Sequence, residues 1–211
     1  MKQAAVGFRV HSGWSAVVTV CLEKGAPVVL HRKRVHLVDT FSYTFRQPYH
    51  TAEKMELPEA RKFISQSQAK ARDLAYRAIH GLKAELEVLG YELNRSALLL
   101  ASGRPLPELE KILASHALIH TADGELFREC LLHASERCGL VVACIKDREL
   151  LEQAANVLRM PPPSLLKRAT ELGRPFGAPW SQDEKFATVA AWFAALPSSK
   201  SSRKTIARKP A

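Results

Sequence analysis

The first 38 residues force a sheet. Residues 5–10 place Val6, Phe8 and Val10 at period two before His11-Ser12-Gly13 breaks the run. Residues 14–22 are almost continuously apolar and β-branched, the pattern of a strand buried on both faces. After the turn Glu23-Lys24-Gly25-Ala26, residues 27–38 form a third strand with Arg32, Arg34 and His36 on one face. Such a charged stripe suits an outer strand, because it discourages pairing with another chain. Turns this short join antiparallel neighbours, so the three strands read as a meander.

The period then changes. A loop rich in aromatics, 39–57, precedes a long helix opening at Pro58, a residue suited to a first helical turn. Ile64, Ala71, Ala75, Ala78, Leu82 and Leu89 keep one apolar face as far as Gly90. Residues 96–101 read as a fourth strand, turned by Ser102-Gly103, and 107–115 as a short helix. The next helix is expected over 122–137, with Phe127, Cys130, Leu131 and Ala134 inward and Gly139 as its stop. A fifth strand, 140–145, leads to helices at 147–159, 163–172 and 181–196. Strands alternating with helices imply parallel pairing through right-handed crossovers. A chain of 211 residues, 46% hydrophobic, can bury a full core, and one domain over 1–196 is expected.

The charge is uneven. Of a formal surplus of +10, half comes from Lys200, Arg203, Lys204, Arg208 and Lys209 within 197–211, a stretch with no acid. With Ser198, Ser199, Ser201 and Ser202 among them, these residues read as a basic disordered tail able to hold phosphate backbones. No apolar run approaches membrane-spanning length, and Arg9 and His11 interrupt any signal-like segment, so a prokaryotic cytoplasm is the expected address. The four cysteines, Cys21, Cys130, Cys138 and Cys144, have neither disulfide nor zinc-finger spacing and read as reduced, mostly buried thiols.

A three-stranded meander followed by helix, strand, helix, strand and helix resembles the ribonuclease H-like superfamily, over roughly residues 4–196. The resemblance implies an α/β fold with a five-stranded mixed sheet. That superfamily includes nucleases, Holliday-junction resolvases and, in elaborated form, sugar-kinase and actin-type ATPases. Residues 7–15, Gly-Phe-Arg-Val-His-Ser-Gly-Trp-Ser, look like its first hairpin, where an Asp followed by Gly and Ser or Thr is frequent. Asp183-Glu184 falls where its last helix often carries an acid.

The departure is equally specific. Two-metal phosphoryl transfer needs several carboxylates around cations a few ångströms apart. Residues 1–22 and 96–103 contain no Asp or Glu, so conventional metal-dependent cleavage is not expected and no metal site is assigned. Ligands of such sheets gather beyond the carboxyl ends of strands. Those ends here read His11-Ser12-Gly13, Ser102-Gly103-Arg104 and Lys146-Asp147-Arg148, an anion site rather than a cation site.

Further candidates sit in loops. Phe45-Arg46-Gln47-Pro48-Tyr49-His50 groups donors, a stacking ring and an imidazole that titrates near neutrality. His116 and His120 are four apart, but Ala117 stands where a metalloprotease helix carries Glu, and a helix end is expected between them. Ser181-x-x-Glu184 has capping-box spacing, and the Gly- and Pro-rich loop before it lets Trp180 cover a pocket. The expected function is binding of nucleic acid or another phosphate-bearing ligand through Ser12, Gly13, Arg46, Gln47, Tyr49, Arg104, Lys146 and Lys185. One alternative is a hydrolase or phosphotransferase using Asp183 and His50, and another is a structural assembly component. Cofactor and protein partner stay unknown at this level, and no membrane partner is expected.

Overall fold

A computed structural model describes residues 1–40, 42–101 and 105–196. Strands β1 (Lys2–His11), β2 (Trp14–Glu23) and β3 (Ala26–His36) form the meander, and β4 (Tyr91–Leu100) and β5 (Val141–Lys146) follow it. The sheet order is β3-β2-β1-β4-β5. The pairs β1–β2 and β2–β3 are antiparallel, whereas β1–β4 and β4–β5 are parallel. This is the ribonuclease H-like arrangement implied by the resemblance, and the basic strand β3 lies at the edge.

Side-chain alternation along β1 sorts the helices onto two faces. Ala4, Val6, Phe8 and Val10 join one core with α3 (Leu57–Val88) and α5 (His116–Arg137). Ala5 belongs to a second core with α6 (Leu150–Leu158), α7 (Pro162–Gly173) and α8 (Gln182–Ala195). Gly7 also faces α8, so closely that a Cβ there would lie 2.0 Å from the Ala187 carbonyl oxygen. Helix α8 meets this approach with small residues, burying Ala187, Ala190, Ala191 and Ala194. Val189 is buried beside them, while Phe186 and Phe193 stay half-buried.

Other local expectations change. The loop 39–57 contains two short helices, α1 (Tyr43–Arg46) and α2 (Pro48–Ala52), and Leu109–Leu113 is α4. Helix α5 starts at His116, six residues before the expected start at Ala122, so His116 and His120 share its first turns. The Trp180 indole does not cover a pocket; its Nε1–H donates to the Ala169 carbonyl and its ring lies against Gly173. Cys21 and Cys130 are buried, but Cys144, on the outer strand β5, is exposed. No described helix is long and apolar enough to cross a membrane. Arg104 and the tail 197–211 lie outside the described residues.

Candidate functional site

The carboxyl ends of β1, β4 and β5 open into a cleft of about 190 Å³. Arg9, His11, Leu99, Leu100, Arg128 and Asp147 are among its walls. Strand alternation turns Arg9 and His11 toward α8, where the capping box delivers Asp183. In that cap, Ser181 Oγ accepts the Asp183 backbone N–H at 3.1 Å, and the Ser181 backbone N–H donates to Glu184 Oε2 at 2.8 Å.

One guanidinium bridges two carboxylates. Arg9 Nη2 lies 3.3 Å from Asp147 Oδ2, and Arg9 Nε lies 3.3 Å from Asp183 Oδ1. The Phe186 ring packs on the same guanidinium at 4.4 Å. His11 Nε2 is 3.0 Å from Asp183 Oδ1, and the His11 ring stacks on Trp14 at 4.4 Å. The Arg34 guanidinium also packs on Trp14, 3.9 Å from the ring centre. A row of stacked groups thus runs from the sheet edge to the cleft.

The fold family uses divalent cations, and the residues present do not fit them. Strand β1 supplies Arg9 and no carboxylate, and β4 bears its only acid, Glu92, at the opposite end, where Gln3 Nε2 donates to it. The two acids at the cleft are both already paired with Arg9. A positive side chain standing between two carboxylates opposes a metal ion at the same place.

The site retains unused polar groups. Arg9 Nη1, Arg128 Nε and Asp147 Oδ1 are buried and have no hydrogen-bond partner among the described residues. Three such atoms on the walls of one cleft are uncommon, since buried polar groups are normally satisfied. The surrounding cations are more balanced than a simple basic rim. Lys146 pairs with Glu149 at 3.0 Å, and Arg128 Nη1 with Glu125 at 3.2 Å.

The remaining sequence candidates are not among the walls of that cleft. Gly13, at φ +83°, makes the β1–β2 turn, and Arg46 lies across it with its Nε–H donating to the Ser12 carbonyl at 3.4 Å. Gln47 precedes α2 and is half-buried, and Lys185 is half-buried on α8. The Tyr49 backbone N–H donates to Asp123 Oδ1 at 2.7 Å, while His50 Nδ1 meets Asp123 Oδ2 at 2.5 Å. Asp123 is buried, and burial pushes its carboxyl above the ordinary range despite the opposing bonds from His50 and Tyr49. Burial likewise pushes the Tyr49 phenol up to about 12. The His50 ring also meets His116 and His120, at centroid distances of 5.3 and 4.3 Å.

His50 and Asp183 therefore stand on opposite faces of the sheet, with separate partners. Sequence reasoning had not paired Arg9 with the two acids, nor Asp123 with His50. The signal for the first was available: Arg9 lies two residues from Gly7 and four from Ala5, so strand alternation puts it on the face that α8 covers.

No protein-family model matches the chain. No curated protein matches it. Among solved structures, Thermus thermophilus RuvC in complex with Holliday junction substrate is similar at 11% identity and a TM-score of 0.48, covering 90% of each chain. A second Thermus thermophilus RuvC structure gives 13% identity and a TM-score of 0.49, over 90% of this chain and 91% of that one.

Proposed function

We propose that this chain binds nucleic acid or another phosphate-bearing ligand at the ends of β1, β4 and β5, without conventional two-metal cleavage. The observation that carries this reading is the pair of unused guanidinium donors, Arg9 Nη1 and Arg128 Nε, beside the same cleft. Guanidinium groups match phosphate oxygens in geometry and charge. Asp147 Oδ1 adds an acceptor, so a ligand with both phosphate oxygens and N–H or O–H donors complements the site. A nucleotide unit has both. Arg104, Lys146, Lys185 and the residues 197–211 are proposed as outer phosphate contacts.

The test is fluorescence anisotropy with labelled single-stranded, duplex and four-way-junction DNA. Two phosphate contacts alone imply roughly a tenfold loss of affinity between about 50 and about 200 mM salt, and more if outer contacts engage. Arg128→Gln is expected to weaken binding while leaving the melting temperature near that of the parent. Salt-independent binding would overturn the reading, as would Mg²⁺-dependent cleavage lost in Asp183→Asn.

The His11–Asp183 pair supports a second reading, a hydrolase in which Asp183 assists a proton transfer. It predicts turnover of a phosphate ester that Asp183→Asn abolishes with folding retained. An unchanged rate in that variant removes it.

A further inference from the structure

On the face of the sheet away from Asp183, three imidazoles converge from two helices. His50 comes from α2, and His116 and His120 come from the first turns of α5, four residues apart and so on one side of the helix. Each ring offers a nitrogen, and these nitrogens all lie within 4.8 Å of one another. A tetrahedral zinc with bonds of about 2.0–2.1 Å places its nitrogens roughly 3.3 Å apart, so rotamer adjustments of an ångström or so close the site.

The support behind the rings is more specific than the cluster itself. His50 Nδ1 is engaged by Asp123 Oδ2, which leaves Nε2 as the only lone pair His50 can offer a metal. Asp123 is in turn held by the Tyr49 backbone N–H through its other oxygen. A buried carboxylate orienting a histidine by its distal nitrogen is the usual outer support of a metal-bound imidazole. A small apolar knot of Ile112, Ile119 and Ala122, with Tyr49 packed on it, fixes α2 against α5. The two other rings face each other Nε2 to Nε2 at 3.0 Å, a contact that holds at most one proton between two acceptors. A cation replacing that proton is bound by both rings, the displaced hydrogen moving to Nδ1 of the same imidazole.

We propose that His50, His116 and His120 form a three-histidine site for a borderline divalent transition metal, with Zn²⁺ as the best match, and that Asp123 positions His50. Neutral imidazole is a preferred ligand of zinc, copper and nickel, whereas magnesium and calcium favour oxygen. His116 and His120 are exposed, so the fourth coordination position faces solvent and is open to water or an external donor. The site is independent of the strand-end cleft and of the function proposed for it.

The experiment uses the full chain without an affinity tag, stripped with a chelator and titrated with Zn²⁺ against a chromophoric competitor. Replacement of zinc by Co²⁺ gives a second readout, the visible bands of a tetrahedral nitrogen site. One equivalent is expected to bind, and His116→Ala or His120→Ala to weaken it by more than about 100-fold. Both substituted residues are exposed, so these variants are expected to keep the parent's melting temperature without metal. Asp123→Asn is expected to lose about 10- to 100-fold in affinity while retaining the Co²⁺ bands, which marks a positioning role. Binding at the same affinity in His116→Ala and His120→Ala would overturn the site, as would the absence of a stoichiometric equivalent in the parent.

Discussion

Replacing Gly7 by alanine tests how closely α8 is held against the sheet. The new methyl carbon would lie 2.0 Å from the Ala187 carbonyl oxygen and 2.7 Å from the Ala191 nitrogen. Ordinary contact begins at about 3.4 Å, so α8 must retreat by roughly 1.4 Å, and backbone atoms have no rotamer by which to yield. Overpacking of this kind costs about 1–3 kcal/mol, and two backbone clashes argue for the upper half. For a chain of this size that lowers the melting temperature by roughly 4–10 °C. The retreat also carries Asp183 away from Arg9 and His11, now 3.3 and 3.0 Å from it, so the cleft loses its wall. Differential scanning calorimetry of Gly7→Ala is read beside Gly81→Ala, a mid-helix control where an added Cβ meets nothing within 4 Å. The control is expected to be neutral or stabilising by up to about 1 kcal/mol. A Gly7→Ala melting temperature within about 1 °C of the parent would refute the packing argument.

Two further outcomes follow from local features. Ser181→Ala removes the side-chain half of the α8 cap and is expected to cost about 1 kcal/mol by urea denaturation; no change in midpoint would show that the cap is redundant. Burial lowers the His31 pKa below 6.5, outweighing Glu85, which raises it, with Lys33 acting in the same direction as burial. The unfolded chain therefore takes up this proton first as pH falls through about 6.5, and stability declines until the lower folded value is passed. His31→Gln is expected to flatten that part of the stability–pH curve, and an unaltered slope would count against it.

Much of the fold was legible because its signals are local. Period two in β1, the apolar run of β2 and the basic outer face of β3 each follow from side-chain alternation alone. The long α3 announced itself by one apolar face, and the α8 cap by the spacing of Ser181 and Glu184. Helices α1 and α2 did not, since four or five residues hold too few turns to show a period. The early start of α5 was hidden for a related reason: Ser115 precedes it without a side-chain cap bond, and exposed His116 and His120 interrupt the apolar pattern.

The sites were half legible. Strand order placed the cleft at the strand ends, and the absence of acids in β1 was plain to read. That Arg9 would reach Asp183 as well as Asp147 depends on the approach of α8, which brings Asp183 and is set by packing at Gly7 and the alanines of α8. His50 and Asp183 looked like partners because both titrate or ionise usefully. The sheet between them was the missing fact, since a residue's face is fixed by its helix's docking and not by its chemistry.

The central claim is that the strand-end cleft itself receives phosphate through Arg9 and Arg128, with the basic residues outside it adding only outer contacts. The most direct measurement is the arginine Nε–Hε region of a ¹⁵N-correlated NMR spectrum of the full chain during titration with a DNA oligonucleotide. The Arg128 resonance, assigned by its loss in Arg128→Lys, is expected to shift saturably with the binding curve, and the Arg9 resonance with it. Binding that leaves both resonances in place would contradict the account.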